Sequence, residues 1–379
     1  MKHHRHKPAF PFIKEPVEFS KNTEKNLLQY CLGGVLYLPA TKNIIQKILD
    51  KKPPAPSMVM CFEDAIREED LPEAENNVLS HLERLFTAQK EGALADDDVP
   101  LIFLRVRSRE QFKQFTARLT PEQGGMLTGF VFPKFDSKSG RDYFTCLEET
   151  SRRLGVEFYA MPILEGRTVA LKESRLEELA RLRNLLAQYR EMVLNIRVGA
   201  TDFSSIFSVR RGINYSIYDI MTIRDCLSDI LNFFTRTGED YVISAPVWEY
   251  FLADKEESLE HLLEQDIHRS LLQRSSIVNE AIDGLLREVI LDKANGFVGK
   301  TIIHPSHLKY VNAMQAVTRE EYEDAVQVLG KTGGVIKSIN SNKMNEINPH
   351  RNWAKKIKLR ASAYGVIEDE GSYLQLIFE

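Results

Sequence analysis

Eight short apolar runs, separated by stretches of helical periodicity, limit the fold of this chain more than any other feature. They occupy residues 35–38, 58–62, 101–106, 129–132, 158–163, 194–198, 241–245 and 301–303 and are rich in Val, Ile, Leu and Phe. Each is too short for a helix and apolar on both faces, the pattern of a parallel strand covered from both sides. Residues 73–90, 141–154, 175–190 and 217–234 repeat their apolar side chains at helical spacing, and 258–292 is long enough for two helices. Strand–helix alternation with about eight strands predicts an α/β fold, a (β/α)₈ TIM barrel. An open doubly wound sheet is the alternative, because periodicity does not show closure. After residue 318 the pattern is first helical and then broken by polar turns near Gly330 and Gly334. The expected division is a lead-in over 1–30, a barrel over 31–317 and a C-terminal helical extension over 318–379.

A chain of 379 residues buries a barrel-sized core without a disulfide or metal staple. Its four cysteines, Cys31, Cys61, Cys146 and Cys226, stand far apart and in no metal-type pairing, which predicts a reduced, cytoplasmic protein. A net charge of −4 gives no global field toward nucleic acid or an anionic membrane. No apolar run approaches the ~20 residues that span a bilayer. Neither nucleic acid nor membrane is therefore expected as a partner. The opening stretch from Met1 to Pro8 is basic, holds three histidines and lacks an apolar signal core. It reads as a mobile tail.

One segment supports two incompatible readings. From Ala294 to Thr301 it matches a loose phosphate-loop pattern ending in Gly299-Lys300-Thr301. A phosphate loop follows a strand and opens a helix, so that backbone N–H groups face the phosphates. Here the order is reversed. Ile282, Leu285, Leu286, Val289 and Ile290 mark a helix before the motif, and Thr301-Ile302-Ile303 reads as a strand after it, stopped by Pro305. Gly296 and Gly299 are then a helix C-cap and a turn. Nucleotide binding through this pattern is the weakest of the readings.

The ends of the runs carry the chemistry. Catalytic groups of a barrel gather where strands enter the following loops, and here those positions hold Lys42, Glu63, Asp64, Arg105, Lys134, Glu165, Asp202 and His304. Loops are polar in general, which explains any one of these residues. It does not explain why single acids and bases punctuate otherwise apolar strand ends.

Taken in order, these ends resemble a known set of motifs. Leu36-Tyr37-Leu38-Pro39-Ala40-Thr41-Lys42 is similar to Phe-Val-Pro-Gly-Asp-Arg, and Met60-Cys61-Phe62-Glu63-Asp64-Ala65-Ile66 to Leu-Asp-Leu-Glu-Asp-Ala-Val. Leu104-Arg105-Val106-Arg107 resembles Val-Arg-Ile-Asn, and Phe132-Pro133-Lys134 resembles Leu-Pro-Lys. Leu164-Glu165-Gly166 looks like Ile-Glu-Thr, and the stretch from Val198 to Phe203 like Phe-Gly-Ala-Glu-Asp-Leu. Gly296 to His307 matches Gly-Phe-Asp-Gly-Lys-x-x-Ile-His-Pro-Ser-Gln nearly residue for residue. Over residues 33–312 the chain resembles the HpcH/HpaI aldolase and citrate lyase beta-subunit superfamily. Within it, the nearest resemblance is to the divergent branch found with bacterial tellurite-resistance and stress-response operons.

The resemblance implies a homo-oligomeric enzyme that breaks or forms carbon–carbon bonds, with Mg²⁺ or Mn²⁺ as cofactor. Its implied partner is an anionic small molecule, a hydroxy acid or its coenzyme A thioester. Glu165 and Asp202 carry over as metal ligands, and Arg105, Glu63 and Asp64 as catalytic groups. Lys42, Lys134, Arg167 and His304 join Arg105 as substrate-binding positions. The chemistry agrees: an enolate needs positive charge, and a divalent cation with a guanidinium supplies it. Mg²⁺ takes oxygen ligands and keeps several waters, so two carboxylates suffice. A planar guanidinium grips a carboxylate bidentately.

The sequence also departs from those motifs. Ala40-Thr41 replaces Gly-Asp, Cys61 an Asp, Arg107 an Asn, Gly166 a Thr and Thr201 an acid. Arg107 and Arg167 add positive charge that suits a more anionic ligand. The departures motivate an alternative function, a ligand-sensing or scaffold barrel in a stress-response system without turnover. His304 has a second reading as a hydrogen-bonding residue that fixes its loop, and residues 207–218 read either as a lid or as a solvated basic loop.

Overall fold

The computed structural model describes residues 1–238, 240–251, 280–338 and 343–378. The apolar runs form parallel strands β1 (Gly34–Pro39), β2 (Ser57–Cys61), β3 (Leu101–Arg105), β4 (Gly129–Phe132), β5 (Tyr159–Leu164), β6 (Ile196–Val198), β7 (Ile243–Ser244) and β8 (Lys300–Ile302). They pair in the order β7-β6-β5-β4-β3-β2-β1-β8. A parallel bridge between Ala245 and Lys300 joins the two ends, with the Thr301 N–H donating to the Ala245 carbonyl at 3.1 Å. The sheet is therefore a barrel, as expected, and the open-sheet alternative falls. Gly299 is required at that seam: its φ is +69°, and a Cβ there would lie 2.3 Å from the Gly33 carbonyl oxygen.

Helices Leu71–Lys90, Arg109–Arg118, Gly140–Leu154, Lys172–Gln188, Met221–Phe234 and Glu280–Ala294 cover the barrel. Each buries one stripe, such as Val78, Leu82 and Leu85 or Leu179, Leu182 and Leu186. The front part of the expected two-helix segment over 258–292 lies outside the described residues.

The phosphate-loop pattern lies where the reversed order places it, after helix Glu280–Ala294 and ahead of β8. Gly296 adopts φ +93°. Lys300 is buried against that helix. Its Nζ lies 2.8 Å from both Glu288 and Asp292, two carboxylates on the inner face of that helix. Arg211 closes the cluster at 2.6 Å from Glu288, and the Tyr218 hydroxyl donates to Asp292 at 2.6 Å. Arg211 belongs to the 207–218 loop, so at this residue the loop is an anchor, neither lid nor solvated.

The N-terminal segment overturns the mobile-tail expectation. His3 is fully buried, stacks on Tyr364 at 4.5 Å and bonds the Cys31 carbonyl at 2.9 Å. Farther on, the Ile13 N–H donates to Val366 and the Val366 N–H to Lys14. The basic count hid the aromatic groups Phe10, Phe12 and Phe19, which supply the apolar contact a tail needs to dock. Two of the segment's partners, Tyr364 and Val366, belong to the chain beyond 318. There helices Arg319–Leu329 and Ile347–Tyr364 pack around Val328, Ala354, Ile357 and Ala361, with a small hairpin, Val335–Lys337 and Met344–Glu346, between them.

Candidate active site

The C-terminal ends of β2 to β6 bring one set of charged side chains together. Arg105 is the last residue of β3. Its Nη2 lies 2.5 Å from Glu63, 3.2 Å from Asp64 and 3.3 Å from Glu165. Glu63 and Asp64 come just after β2, past Phe62, and Glu165 follows β5 directly. Lys134, after β4, holds Glu63 at 2.6 Å through Nζ, while its backbone N–H donates to Glu165 at 2.8 Å. Aiming that N–H puts Lys134 at φ +47°, a left-handed backbone that a lysine adopts at a cost.

Glu165 reaches the cavity because residue 199 has no side chain: a Cβ on Gly199 would lie 2.2 Å from a Glu165 carboxylate oxygen. Directly after it Ala200-Thr201-Asp202 opens a short helix, Ala200–Ile206, and Asp202 hydrogen-bonds Glu165. Burial pushes the Glu165 carboxyl up to about 8; Arg105 opposes that shift and Asp202 adds to it. Burial likewise raises Glu63 against the opposing charge of Arg105. The Cys61 thiol, at the end of β2, is also raised by burial, which disfavours the thiolate a nucleophile needs.

Two carboxylates in contact, one driven toward its protonated form, fit a hard divalent cation that takes oxygen ligands and displaces the proton. Among the described residues no third Asp, Glu, His or Cys joins them to form a larger metal-holding group, so water completes such a site, as Mg²⁺ prefers. The cavity they face is about 410 Å³ and is lined by Tyr37, Arg105, Glu165, Arg197, Asp202 and Thr301 among others. A second cavity of about 620 Å³, between the barrel and the extension, holds none of the strand-end groups.

Residues 26–366 match the model of a family described as C–C bond lyases of the TIM-barrel fold. The chain belongs to that family. No curated protein matches the lyase by sequence. Among solved structures it is similar to Haloferax volcanii malate synthase in a magnesium–glyoxylate complex, with 13% identity, 74% of each chain covered and a TM-score of 0.50. It is also similar to Mycobacterium tuberculosis CitE in complex with magnesium, acetoacetate and coenzyme A, with 16% identity, 87% of this chain and 97% of that one covered, and a TM-score of 0.49. At these identities the likeness shows the fold alone. Among the described residues no helix of the lyase is long and apolar enough to cross a membrane.

The strand-end expectations separate into two groups. Arg105, Glu63, Asp64, Lys134, Glu165 and Asp202 converge on one place. Lys42, Arg167 and His304 do not line the cavity. Lys42 and Arg167 are exposed, because their loops turn the side chains outward. His304 is drawn into its own loop: Nδ1 bonds the Ser306 hydroxyl at 2.7 Å and the ring stacks on Phe251 at 4.8 Å. That is the loop-fixing alternative. Arg107 donates to the Phe62 carbonyl at 3.1 Å, so its charge braces the loop after β2. Sequence reasoning missed Tyr37 and Arg197, which line the cavity from within β1 and β6. A strand's period of two was the available signal, since it turns Tyr37 and Arg197 inward.

Proposed function

We propose that this lyase cleaves or forms a carbon–carbon bond next to a carbonyl of an anionic hydroxy acid, or of its acyl-thioester, with Mg²⁺ held by Glu165 and Asp202. The observation that carries the reading is their contact beside a guanidinium with donor capacity to spare. Arg105 Nε is buried and makes no hydrogen bond, while Nη2 is gripped by carboxylates. When bound, the cation supplies Lewis-acid charge opposite the oxygen that becomes negative on enolisation.

The chain's own groups do the rest. Arg105 offers fixed donors to that oxygen or to the neighbouring carboxylate, and fixed donors act without reorganisation. Glu63 and Asp64 hold the guanidinium from behind, and Lys134 fixes Glu63 in turn. Glu63 is held by Arg105, by Lys134 and by the Asp64 backbone N–H, so its role is to position. The apolar wall around Ile163, Val198 and Val247 excludes water and strengthens each charge contact.

Enolisation is detectable without the natural substrate. In D₂O with Mg²⁺, the protein is expected to exchange the C3 protons of a 2-oxo acid such as pyruvate, or the methyl protons of acetyl-coenzyme A, followed by proton NMR. Chelation should stop the exchange, and calorimetry should show Mg²⁺ binding that Asp202→Asn removes. Absence of Mg²⁺ binding to the wild type sinks the metal assignment. Mg²⁺-dependent binding with no exchange in either compound, and no turnover across hydroxy acids and thioesters, favours the sensing barrel instead.

A further inference from the structure

Arg197 is the one charge lining the cavity that the proposed reaction leaves idle. It is the central residue of β6 and is 1% exposed. Its Nη2 donates to the Thr301 hydroxyl at 2.5 Å, and its guanidinium carbon lies 5.4 Å from the centre of the Tyr37 ring. Its Nε and Nη1 are buried and make no hydrogen bond, and among the described residues no carboxylate pairs with it. A buried guanidinium without an anion is costly. The barrel spends no carboxylate on it, although Arg105, across the same cavity, has three.

The two guanidiniums face different parts of the space. Arg105 stands with Glu165 and Asp202, where the reaction is placed. Arg197, on β6, lies against Thr301 and Tyr37, from β8 and β1, two strands that supply none of the groups gathered at Arg105. The Tyr37 ring lines the cavity with both guanidiniums and lies under that of Arg197. An anion that satisfies Nε and Nη1 of Arg197 must therefore come from the ligand, and from a different end of it than the one at Arg105.

We propose that Arg197 receives a second carboxylate of the substrate, so that the cavity selects small dicarboxylic oxo or hydroxy acids over their monocarboxylic analogues. A planar guanidinium with two free neighbouring donors matches a carboxylate bidentately. The inference rests on the lyase reading above only for which end of the substrate reacts.

Calorimetric titration of the full-length protein with 2-oxoglutarate and with 2-oxopentanoate, each with and without Mg²⁺, tests it. The two compounds share the 2-oxo acid end and differ by the distal carboxylate. The wild type is expected to bind 2-oxoglutarate at least about tenfold more tightly, the size of one charge-assisted contact. Arg197→Met should erase that preference while leaving the Tm unchanged or raised, because it removes an unpaired buried charge. A purely structural arginine predicts the reverse, a lowered Tm and an intact preference. Equal binding of the two acids by the wild type overturns the proposal even if the variant does not fold. A preference that persists without any Mg²⁺ dependence keeps Arg197 and sinks the metal reading; Mg²⁺ dependence without the preference does the opposite.

Discussion

Two groups of buried charge lie within one barrel, and they are assembled in opposite ways. Around Lys300 each charge meets its complement: Lys300 and Arg211 against Glu288 and Asp292, with Tyr218 donating to the remaining oxygen. Around Arg105 the pairing is uneven. One guanidinium faces three carboxylates, two carboxylates touch each other, and a second guanidinium faces no acid among the described residues. A closed set of charges holds elements together; an open one leaves valence for something that arrives from outside. The lysine of the phosphate-loop pattern belongs to the closed set, and that is why the pattern does not make a nucleotide site.

Breaking the closed set should have the largest effect. Lys300→Met leaves Glu288 buried with Arg211 and Asp292 buried with only the Tyr218 hydroxyl among the described residues, and removal of one partner from a buried pair costs roughly 3–5 kcal/mol. Thermal unfolding is expected to show a Tm lowered by many degrees. ATP or GTP binding to the wild type, abolished by the same substitution without loss of stability, would return the motif to the phosphate-loop reading.

The open set should behave the other way. Arg105→Lys keeps the charge but loses the fork, and its expected cost is on the order of 10²–10³ in turnover with a Tm change of a few degrees at most. The measurement is the deuterium-exchange rate beside a melting curve. A variant that melts early and exchanges normally would place Arg105 among the structural groups and erase the contrast.

A third kind of buried titratable group carries no charge at all. Burial lowers the His3 pKa to about 4, against the hydrogen bond from the Cys31 side, which raises it. A folded-state pKa below the free value of 6.5 means that the contribution is complete above pH 6.5 and is lost as the pH falls through about 4. The loss approaches about 3 kcal/mol across that window. Denaturant unfolding at pH 7 and pH 5 checks it: the wild type should lose about 2 kcal/mol more than His3→Phe. Equal losses would mean that His3 is not held neutral.

What was legible in the sequence follows from this division. The strands were readable because parallel strands covered on both faces are near-continuous apolar runs; the acids stood out as charges just after them, and Arg105 as a charge at a strand's last residue. Arg197 was not readable, because it sits inside such a run between Ile196 and Val198, where one charge reads as noise. The Lys300 partners were hidden too: Glu288 and Asp292 interrupt the apolar face of their helix at a spacing of four, and only the fold shows that face pressed onto β8. The N-terminal segment misled through its charge count, since His3 is buried as a neutral ring.

The smallest effect expected is also the sharpest statement about how the site is bounded. Lys42 and Arg167 stood on the list of substrate-binding positions, beside the groups that converge, yet both are exposed and neither lines the cavity. An exposed charge that does not touch the ligand acts on it only through water, where salt screens it, so Lys42→Ala and Arg167→Ala should change the exchange rate and the affinity for 2-oxoglutarate by less than about twofold at 0.15 M salt. Because the argument is one of screening, lowering the ionic strength to 0.01 M should enlarge the effect on association rate while leaving the bound-state rate alone. A tenfold loss of turnover at 0.15 M salt in either variant would show that its loop closes over the ligand and that the open set of charges extends to the rim.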